Sequence, residues 1–126
     1  MKSIDELNVY NSAMELGEKV WNIVDTWNYF AKDTVGKQLV RAVDSIAANL
    51  SEGFGRYHYL ENKHFCYYSR GSLYETKTWI TKAHNRKLIT DADFSIFKNE
   101  INAIGKMPNN YIKSIGKIPP KESPIS

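Results

Sequence analysis

Basic residues recur at a fixed interval in the middle of the chain, which is a pattern typical of polyanion binding. Arg56, Lys63, Arg70, Lys77 and His84 follow one another at steps of seven residues. A seven-residue step drifts by only about 20° around an α-helix. The side chains are therefore predicted to lie along one side of a single helix, where they would form a continuous positively charged line.

Two tyrosines extend this line, since Tyr67 and Tyr74 follow Lys63 and Arg70 by four residues. Lys and Arg side chains bind phosphates, and tyrosine rings stack on unpaired bases. We call this pattern the basic–aromatic stripe; it comprises Arg56, Lys63, Tyr67, Arg70, Tyr74 and Lys77. The stripe predicts RNA or DNA binding. A subunit interface with tyrosine anchors and a basic rim has the same composition, so both interpretations are open.

Residue types that hold metals or form covalent intermediates are sparse. None of the three histidines is paired with another at i and i+4, and the single cysteine cannot complete a Cys-x-x-Cys motif. Glu61 and His64 form one Glu-x-x-His pair, whereas a di-metal bundle needs two pairs and two further glutamates. Phosphate-binding glycine motifs are missing. We therefore expect no metal, no cofactor and no enzymatic activity, and we expect Cys66 to be a core residue.

A second cluster combines an apolar helical stripe with polar residues that normally weaken a helix interior. The apolar positions recur at steps of three and four, as on one face of a helix; they are Leu39, Val43, Ile46, Leu50 and Phe54. The polar residues beside them are Asp44, Ser45, Asn49 and Glu52. Buried hydrogen bonds to neighbouring helices would offset their cost, and this is the interpretation we favour over a ligand site.

Four charged residues near these segments, Arg41, Glu52, Arg70 and Glu75, are candidates for ion pairs between the second and third helices. Removing one member of a buried pair costs about 3–5 kcal/mol, so such pairs can fix helix register. The predicted structural polar network comprises Arg41, Asp44, Ser45, Asn49, Glu52, Arg70 and Glu75. Direct contact of the charged members with a ligand is the alternative.

The motifs that carry these residues resemble the 23S ribosomal RNA intervening-sequence protein family. Residues 41–53 match the pattern RA-x-x-SI-x-AN-x-x-EG, and residues 70–75 match RGS-x-x-E within an aromatic-rich segment. A further similar segment lies upstream at residues 10–16, and the resemblance covers roughly residues 8–115. The order of three separated motifs makes it specific.

This resemblance implies a four-helix bundle. A related branch, the accessory variability determinant proteins of diversity-generating retroelements, forms nucleic-acid-binding rings of five subunits that contact a reverse transcriptase. By resemblance we expect a homo-pentamer that binds RNA or DNA, with a reverse transcriptase or another protein as a further partner. An assembly or adaptor protein that binds another protein through its aromatic surface is the alternative function.

The elements that would position these residues are four amphipathic helices, which predict an all-α, antiparallel up-and-down bundle. Ser3 and Glu6 form a capping box for the first helix, and Ala31-Lys32-Asp33 is predicted to link it to the second, with Asp33 as N-cap. Gly53 and Gly55 are predicted to end the second helix near Phe54. The third spans about residues 58–86, and the fourth begins with the cap at residues 90–93.

Two residues inside the predicted helices require an explanation. Gly71 costs about 1 kcal/mol relative to Ala in a helix interior, which makes sense if another backbone approaches it closely. Pro108 removes a hydrogen bond and clashes with the preceding turn, so we expect a kink or a break there. The bundle is predicted to occupy residues 1–117, followed by a proline-rich tail at residues 118–126.

Charge is unevenly distributed over the 126 residues. The net charge is +3 overall, but residues 1–30 carry −3, residues 31–90 carry +5 and residues 91–126 carry +1. A basic middle segment favours polyanion partners through counterion release. No secretory signal or membrane-spanning run is recognisable, so we expect a cytoplasmic protein with no membrane partner.

Overall fold

The computed structural model of the chain describes residues 3–55 and 59–116, with the backbone alone described for residues 59 and 107–116. Four long helices are joined by short connections. The elements in order are a 3₁₀ turn at Ile4–Glu6, α1 at Asn8–Val24, α2 at Tyr29–Ala31, a π-helical segment at Lys32–Gly36, α3 at Lys37–Phe54, α4 at Tyr59–Asn85 and α5 at Asp91–Gly116.

The long helices close into a four-helix bundle. Helix α3 packs against both α1 and α4, and α5 packs against α4 and α1. Each long helix therefore contacts its neighbours in sequence, as short connections between antiparallel helices require. The most deeply buried large side chains come from the apolar stripes of α1, α3 and α4, among them Leu16, Leu39, Ile46, Leu50 and Ile80. The predicted all-α bundle is confirmed.

The start of the second helical segment differs from the prediction. Asn28, not Asp33, is the N-cap, and its side-chain oxygen accepts a hydrogen bond from the Ala31 amide at 3.0 Å. The chain then remains helical from Tyr29 to Phe54, and Asp33 lies inside the π-helical segment. Both residue types can cap a helix. The linker predicted at residues 31–33 was wrong because the helical segment begins directly after Asn28.

Gly36 of the π-helical segment packs tightly against Val24 at the end of α1. A Cβ atom on Gly36 would lie only 2.7 Å from Val24 Cγ1 and 3.2 Å from the Ala31 carbonyl oxygen. Glycine is therefore required for the π-helical segment to lie this close to α1. Local cap preferences in the sequence do not contain this tertiary constraint.

The other predicted helix ends are largely confirmed. Thr90 Oγ1 accepts a hydrogen bond from the Asp93 amide at 3.1 Å at the start of α5, and Gly55 follows the last residue of α3, Phe54. Ser3 Oγ accepts from the Asp5 amide at 3.3 Å, but this caps the 3₁₀ turn, and α1 begins only at Asn8.

A kink or a break was expected at Pro108; helix α5 continues through this residue to Gly116, so there is no break. Proline lacks an N–H group and so deprives one carbonyl, that of Ile104, of its helical hydrogen bond. Ile101 and Ile104 are buried in the bundle just before it, and this packing offsets a local cost in one turn. The predicted tail at residues 118–126 lies outside the described residues.

The close approach considered for Gly71 does not occur within the described part of the chain, where a Cβ atom on Gly71 would meet no atom within 4 Å. Close approach occurs at Gly53 instead, where a Cβ atom would lie 2.7 Å from Phe65 Cβ and 2.8 Å from Asn62 Oδ1. Gly53 thus allows the end of α3 to pack closely on the start of α4. Of the helices described, none is long and apolar enough to cross a membrane.

Candidate nucleic-acid interface

Five residues of the basic–aromatic stripe lie along one flank of α4, as their spacing predicts. Tyr67 and Tyr74 are 42% and 65% exposed, and Lys77 is also exposed, whereas Lys63 and Arg70 are half-buried. The sixth residue, Arg56, lies outside the described residues. Two tyrosine rings are thus accessible to solvent between basic groups on a single rigid element.

Arg70 and Tyr67 are in direct contact within this stripe. The Arg70 guanidinium carbon lies 4.9 Å from the centroid of the Tyr67 ring, within the range of a cation–π interaction. The contact places the guanidinium beside an exposed tyrosine ring of the same helix. The stripe is therefore continuous at Arg70.

His84, the next step in the seven-residue series, has a structural contact instead. Its Nε2 atom lies 2.7 Å from Asp91 Oδ1, and its ring stacks on Phe94 with a centroid distance of 4.0 Å and an interplanar angle of 3°. Both partners belong to α5. His84 therefore ties the end of α4 to the start of α5, and the described stripe ends at Lys77.

Helix α5 adds a cation that sequence reasoning missed. Lys98 lines a small cleft of about 170 Å³ together with Lys77 and Thr81 of α4. Its ammonium nitrogen lies 6.0 Å from the centroid of the Phe94 ring. Periodicity within one helix cannot reveal a residue contributed by another helix, so no sequence signal could have identified it.

The polar residues of α3 behave differently from the predicted network. Ser45 Oγ donates to the Ala42 carbonyl at 2.8 Å, and the Asn49 side-chain amide donates to the Ser45 carbonyl at 2.8 Å. Both bonds stay inside α3, so the prediction that these two residues bond to neighbouring helices is wrong. They sit half-buried at the edge of the apolar stripe, where carbonyls one turn back are the nearest acceptors.

The charged members of the predicted network lie mostly on the surface. Arg41, Glu52 and Glu75 are exposed, and neither Arg41 nor Glu75 forms an ion pair with any described residue. For these two residues the predicted pairing between helices is wrong, because their positions on α3 and α4 face solvent. The RA-x-x-SI-x-AN-x-x-EG pattern thus places several polar groups on the outer face of α3.

The buried polar contact between α3 and α4 comes from Ser69, which was not among the predicted network residues. Its Oγ atom donates to the Ile46 carbonyl of α3 at 2.9 Å, and the residue is fully buried. Thr76, also buried, donates to the Ser72 carbonyl in its own helix at 2.8 Å. The residue types do not indicate that Ser69 and Thr76 are buried, because serine and threonine also occur on exposed helix faces.

Asp44 lies in a cleft between α1 and α3, beside Gly17. Its Oδ1 atom is only 3.1 Å from the position that a Gly17 Cβ would take, so glycine leaves space for the carboxylate. Partial burial raises the pKa of this carboxyl, and the nearby charge of Glu18 raises it further. Asp44, a predicted network residue, thus lies near a second acidic residue, Glu18.

The single cysteine of the chain lies in the core of the bundle. Cys66 is fully buried, and burial raises the pKa of its thiol to about 11. Its Sγ atom lies 3.8 Å from Asn62 Oδ1. No group of three or more His, Cys, Asp and Glu residues suited to a metal ion occurs within the described parts of residues 3–55 and 59–116. Cys66 is a core residue, as predicted.

Comparison with known proteins places this bundle in a family. The family model described as "23S rRNA-intervening sequence protein" matches residues 5–110. The chain belongs to this family. The match includes all three motifs and every described residue of the basic–aromatic stripe, so the resemblance expected from the sequence is confirmed.

A solved structure shows the same fold. A protein of unknown function from the S23 ribosomal protein family of Bacteroides thetaiotaomicron superposes with a TM-score of 0.75 at 20% sequence identity, over 83% of this chain and 98% of that chain. At this identity the similarity concerns the fold alone. The search of curated proteins found no match.

Proposed function

We propose that this member of the intervening-sequence protein family is a non-enzymatic bundle that assembles as a homo-oligomer and binds RNA or DNA with little sequence specificity. The observation that carries the proposal is the placement of Lys63, Tyr67, Arg70, Tyr74 and Lys77 on one flank of α4, with both tyrosines exposed. Backbone phosphates and unpaired bases are the ligands that suit this alternation.

Low sequence specificity is expected from the chemistry of the stripe. Lysine and arginine bind phosphates at any sequence, and every base offers a face to a tyrosine ring. Affinity should therefore depend on salt concentration more than on base identity.

Oligomer formation is supported by the large apolar groups left on the surface of one copy. Phe30 is 77% exposed, and Leu60 and Tyr68 are 54% and 58% exposed. Exposed apolar groups in this number favour a partner surface. A homo-pentamer, as the resemblance implies, would repeat the +3 charge of each copy around a ring and strengthen weak phosphate contacts by avidity.

The proposal is tested by charge removal on the stripe. Lys63→Ala with Lys77→Ala should weaken binding to single-stranded RNA and lower the slope of log K against log salt concentration by about 0.7 for each phosphate that is no longer neutralised. Arg86→Ala with Lys106→Ala removes the same charge from exposed positions elsewhere and serves as the control. Equal affinities of the two double variants would contradict the proposal.

A second function, an adaptor that binds another protein such as a reverse transcriptase, is favoured by one observation. Exposed Tyr68 packs edge-on against Phe65, with ring centroids 5.5 Å apart and planes at 87°, on the part of α4 away from Lys77. Such a rigid aromatic pair suits a protein interface. Loss of protein capture by Tyr68→Ala, with RNA binding absent from the unmodified chain, would favour this function.

A further inference from the structure

A groove lies at the end of the bundle where α1 finishes and the second helical segment begins. It encloses about 410 Å³ and is lined mainly by apolar surface. We call it the Trp21 groove; the lining residues on which the argument depends are Trp21, Tyr29, Gly36, Lys37, Val40 and Arg41. None of them belongs to the basic–aromatic stripe, which lies on α4.

Two large aromatic side chains at this groove are open to solvent. Trp21 is 57% exposed and Tyr29 is 77% exposed, whereas the neighbouring Trp27 is only 8% exposed and belongs to the core. The rings of Trp21 and Tyr29 thus lie at the rim of an apolar depression and are not packed in the core. A flat apolar group would cover both the rings and the lining residue Val40.

Positive charge lies at one edge of the same groove. Lys37 and Arg41 are four residues apart on α3, so they project from the same face of the helix. Both are exposed and neither forms an ion pair within the described part of the chain. Lys32, the third basic lining residue, is already paired with Asp25 at 3.4 Å.

Among the described residues that line the groove, Asp33 is the one acid left to oppose these two cations, since Asp25 contacts Lys32. The groove thus combines exposed rings, an apolar lining and an excess of positive charge. A purely apolar peptide would leave the cations unused, and a simple anion would leave the rings unused. A ligand with a flat apolar part and an attached anionic group satisfies both.

The fold builds this groove through the π-helical segment. Lys32, Asp33 and Gly36 of that segment line the groove, and a Cβ atom on Gly36 would come within 2.7 Å of Val24 Cγ1. The glycine lets the segment lie against the end of α1, which places Trp21 beside Lys37 and Arg41 in one depression. π-Helical turns occur frequently at functional sites.

We propose that the Trp21 groove binds a single unpaired nucleobase together with its phosphate. The base stacks on Trp21 and Tyr29, and Lys37 and Arg41 hold the phosphate. The site shares its ligand chemistry with the proposed function but shares no residue with the stripe. An experiment can therefore show that one of the two sites does not bind its ligand while the other site does.

The test uses the full chain and titrates it with uridine monophosphate, following tryptophan fluorescence. Trp21 is the tryptophan most open to solvent, since Trp27 is buried and Trp79 half-buried. Saturable quenching is expected. Uridine alone and inorganic phosphate alone should each bind more weakly than the nucleotide, because each occupies only half of the site.

Variants then assign the binding to the groove. By calorimetry, Trp21→Ala should weaken nucleotide affinity roughly 5- to 100-fold, as loss of one base–aromatic stack does, and Trp21→Phe should retain most of it. Tyr68→Ala removes an equally exposed ring on α4 and should leave affinity unchanged. Lys37→Gln with Arg41→Gln should abolish the preference for the nucleotide over uridine. Melting curves verify that each variant is folded.

Three results would overturn the proposal. The first is no saturable change with millimolar nucleotide, and the second is unchanged affinity in folded Trp21→Ala. The third is displacement of the nucleotide by a synthetic peptide with the sequence of residues 117–126 at far lower concentration, which would make the groove a peptide site. Normal nucleotide binding by Lys63→Ala with Lys77→Ala, beside weakened RNA binding, would support two separate sites.

Discussion

Ser69 of α4 donates a hydrogen bond of 2.9 Å to the backbone carbonyl of Ile46 in α3, and its side chain is fully buried. This bond joins the two helices that carry both family motifs. A buried hydroxyl needs a partner, and sliding α4 by one turn along α3 would remove it. The contact therefore helps to set the register that places the basic–aromatic stripe relative to the rest of the bundle.

Replacing Ser69 with Ala should lower the free energy of unfolding by about 1 kcal/mol, since one net hydrogen bond is removed and the Ile46 carbonyl keeps its helical partner. Ser72→Ala is the matched control, because the Ser72 hydroxyl donates to the Tyr68 carbonyl of its own helix and does not join two helices. Chemical denaturation of both variants measures the difference. Equal stabilities would show that the hydrogen bond to Ile46 contributes nothing.

Two glycines provide a second matched pair. Gly53→Ala should destabilise the bundle by about 1–3 kcal/mol, because its Cβ would lie 2.7 Å from Phe65 Cβ and the two helices would have to separate. Gly71→Ala should stabilise it by up to about 1 kcal/mol, since its Cβ meets nothing within 4 Å and alanine favours the helix.

Thermal or denaturant unfolding at low protein concentration measures both glycine effects in the monomer. Gly71→Ala also reports on assembly, because a partner backbone lying close to α4 at this position would be displaced by the new methyl group. Loss of stability in Gly71→Ala that appears only at high protein concentration would therefore place Gly71 in a subunit interface. In dilute solution, a free energy of unfolding higher for Gly53→Ala than for Gly71→Ala would refute the packing described for Gly53.

The fold could be predicted from the sequence because its determinants are local. Apolar positions at steps of three and four in α3, the cap at Thr90 and the glycine after Phe54 each act within a few residues. The family motifs reinforce the same assignment. These signals suffice for the number, type and order of the long helices.

The candidate sites were less predictable, because their determinants are contacts between helices. Nothing near Asp33 in the sequence shows that Gly36 must lie against Val24. The sequence therefore favours Asp33 as the N-cap, whereas the structure uses Asn28. Ser45 and Asn49 look like network residues, yet carbonyls of their own helix satisfy them. The Trp21 groove joins residues from α1, the π-helical segment and α3, and no single periodic pattern contains them.

The last prediction concerns Asp44, whose folded-state pKa lies above its ordinary value of 3.8 because of burial and the nearby charge of Glu18. Ionised Asp44 therefore opposes folding at neutral pH. This cost is relieved as the pH falls through the folded-state pKa, and it disappears below 3.8, where the carboxyl is protonated in both the folded and unfolded chains.

Asp44→Asn should accordingly raise the free energy of unfolding at pH 7, and the gain over the unmodified chain should shrink as the pH is lowered toward about 4. Urea unfolding at a series of pH values measures this difference. Glu18→Gln should lower the pKa of Asp44 in an NMR titration, since it removes the second cause of the shift. A stability difference that is constant with pH would show that folding does not shift the pKa of Asp44. An Asp44→Asn protein less stable than the unmodified chain at pH 7 would show that the ionised carboxylate is favourable in the cleft between α1 and α3.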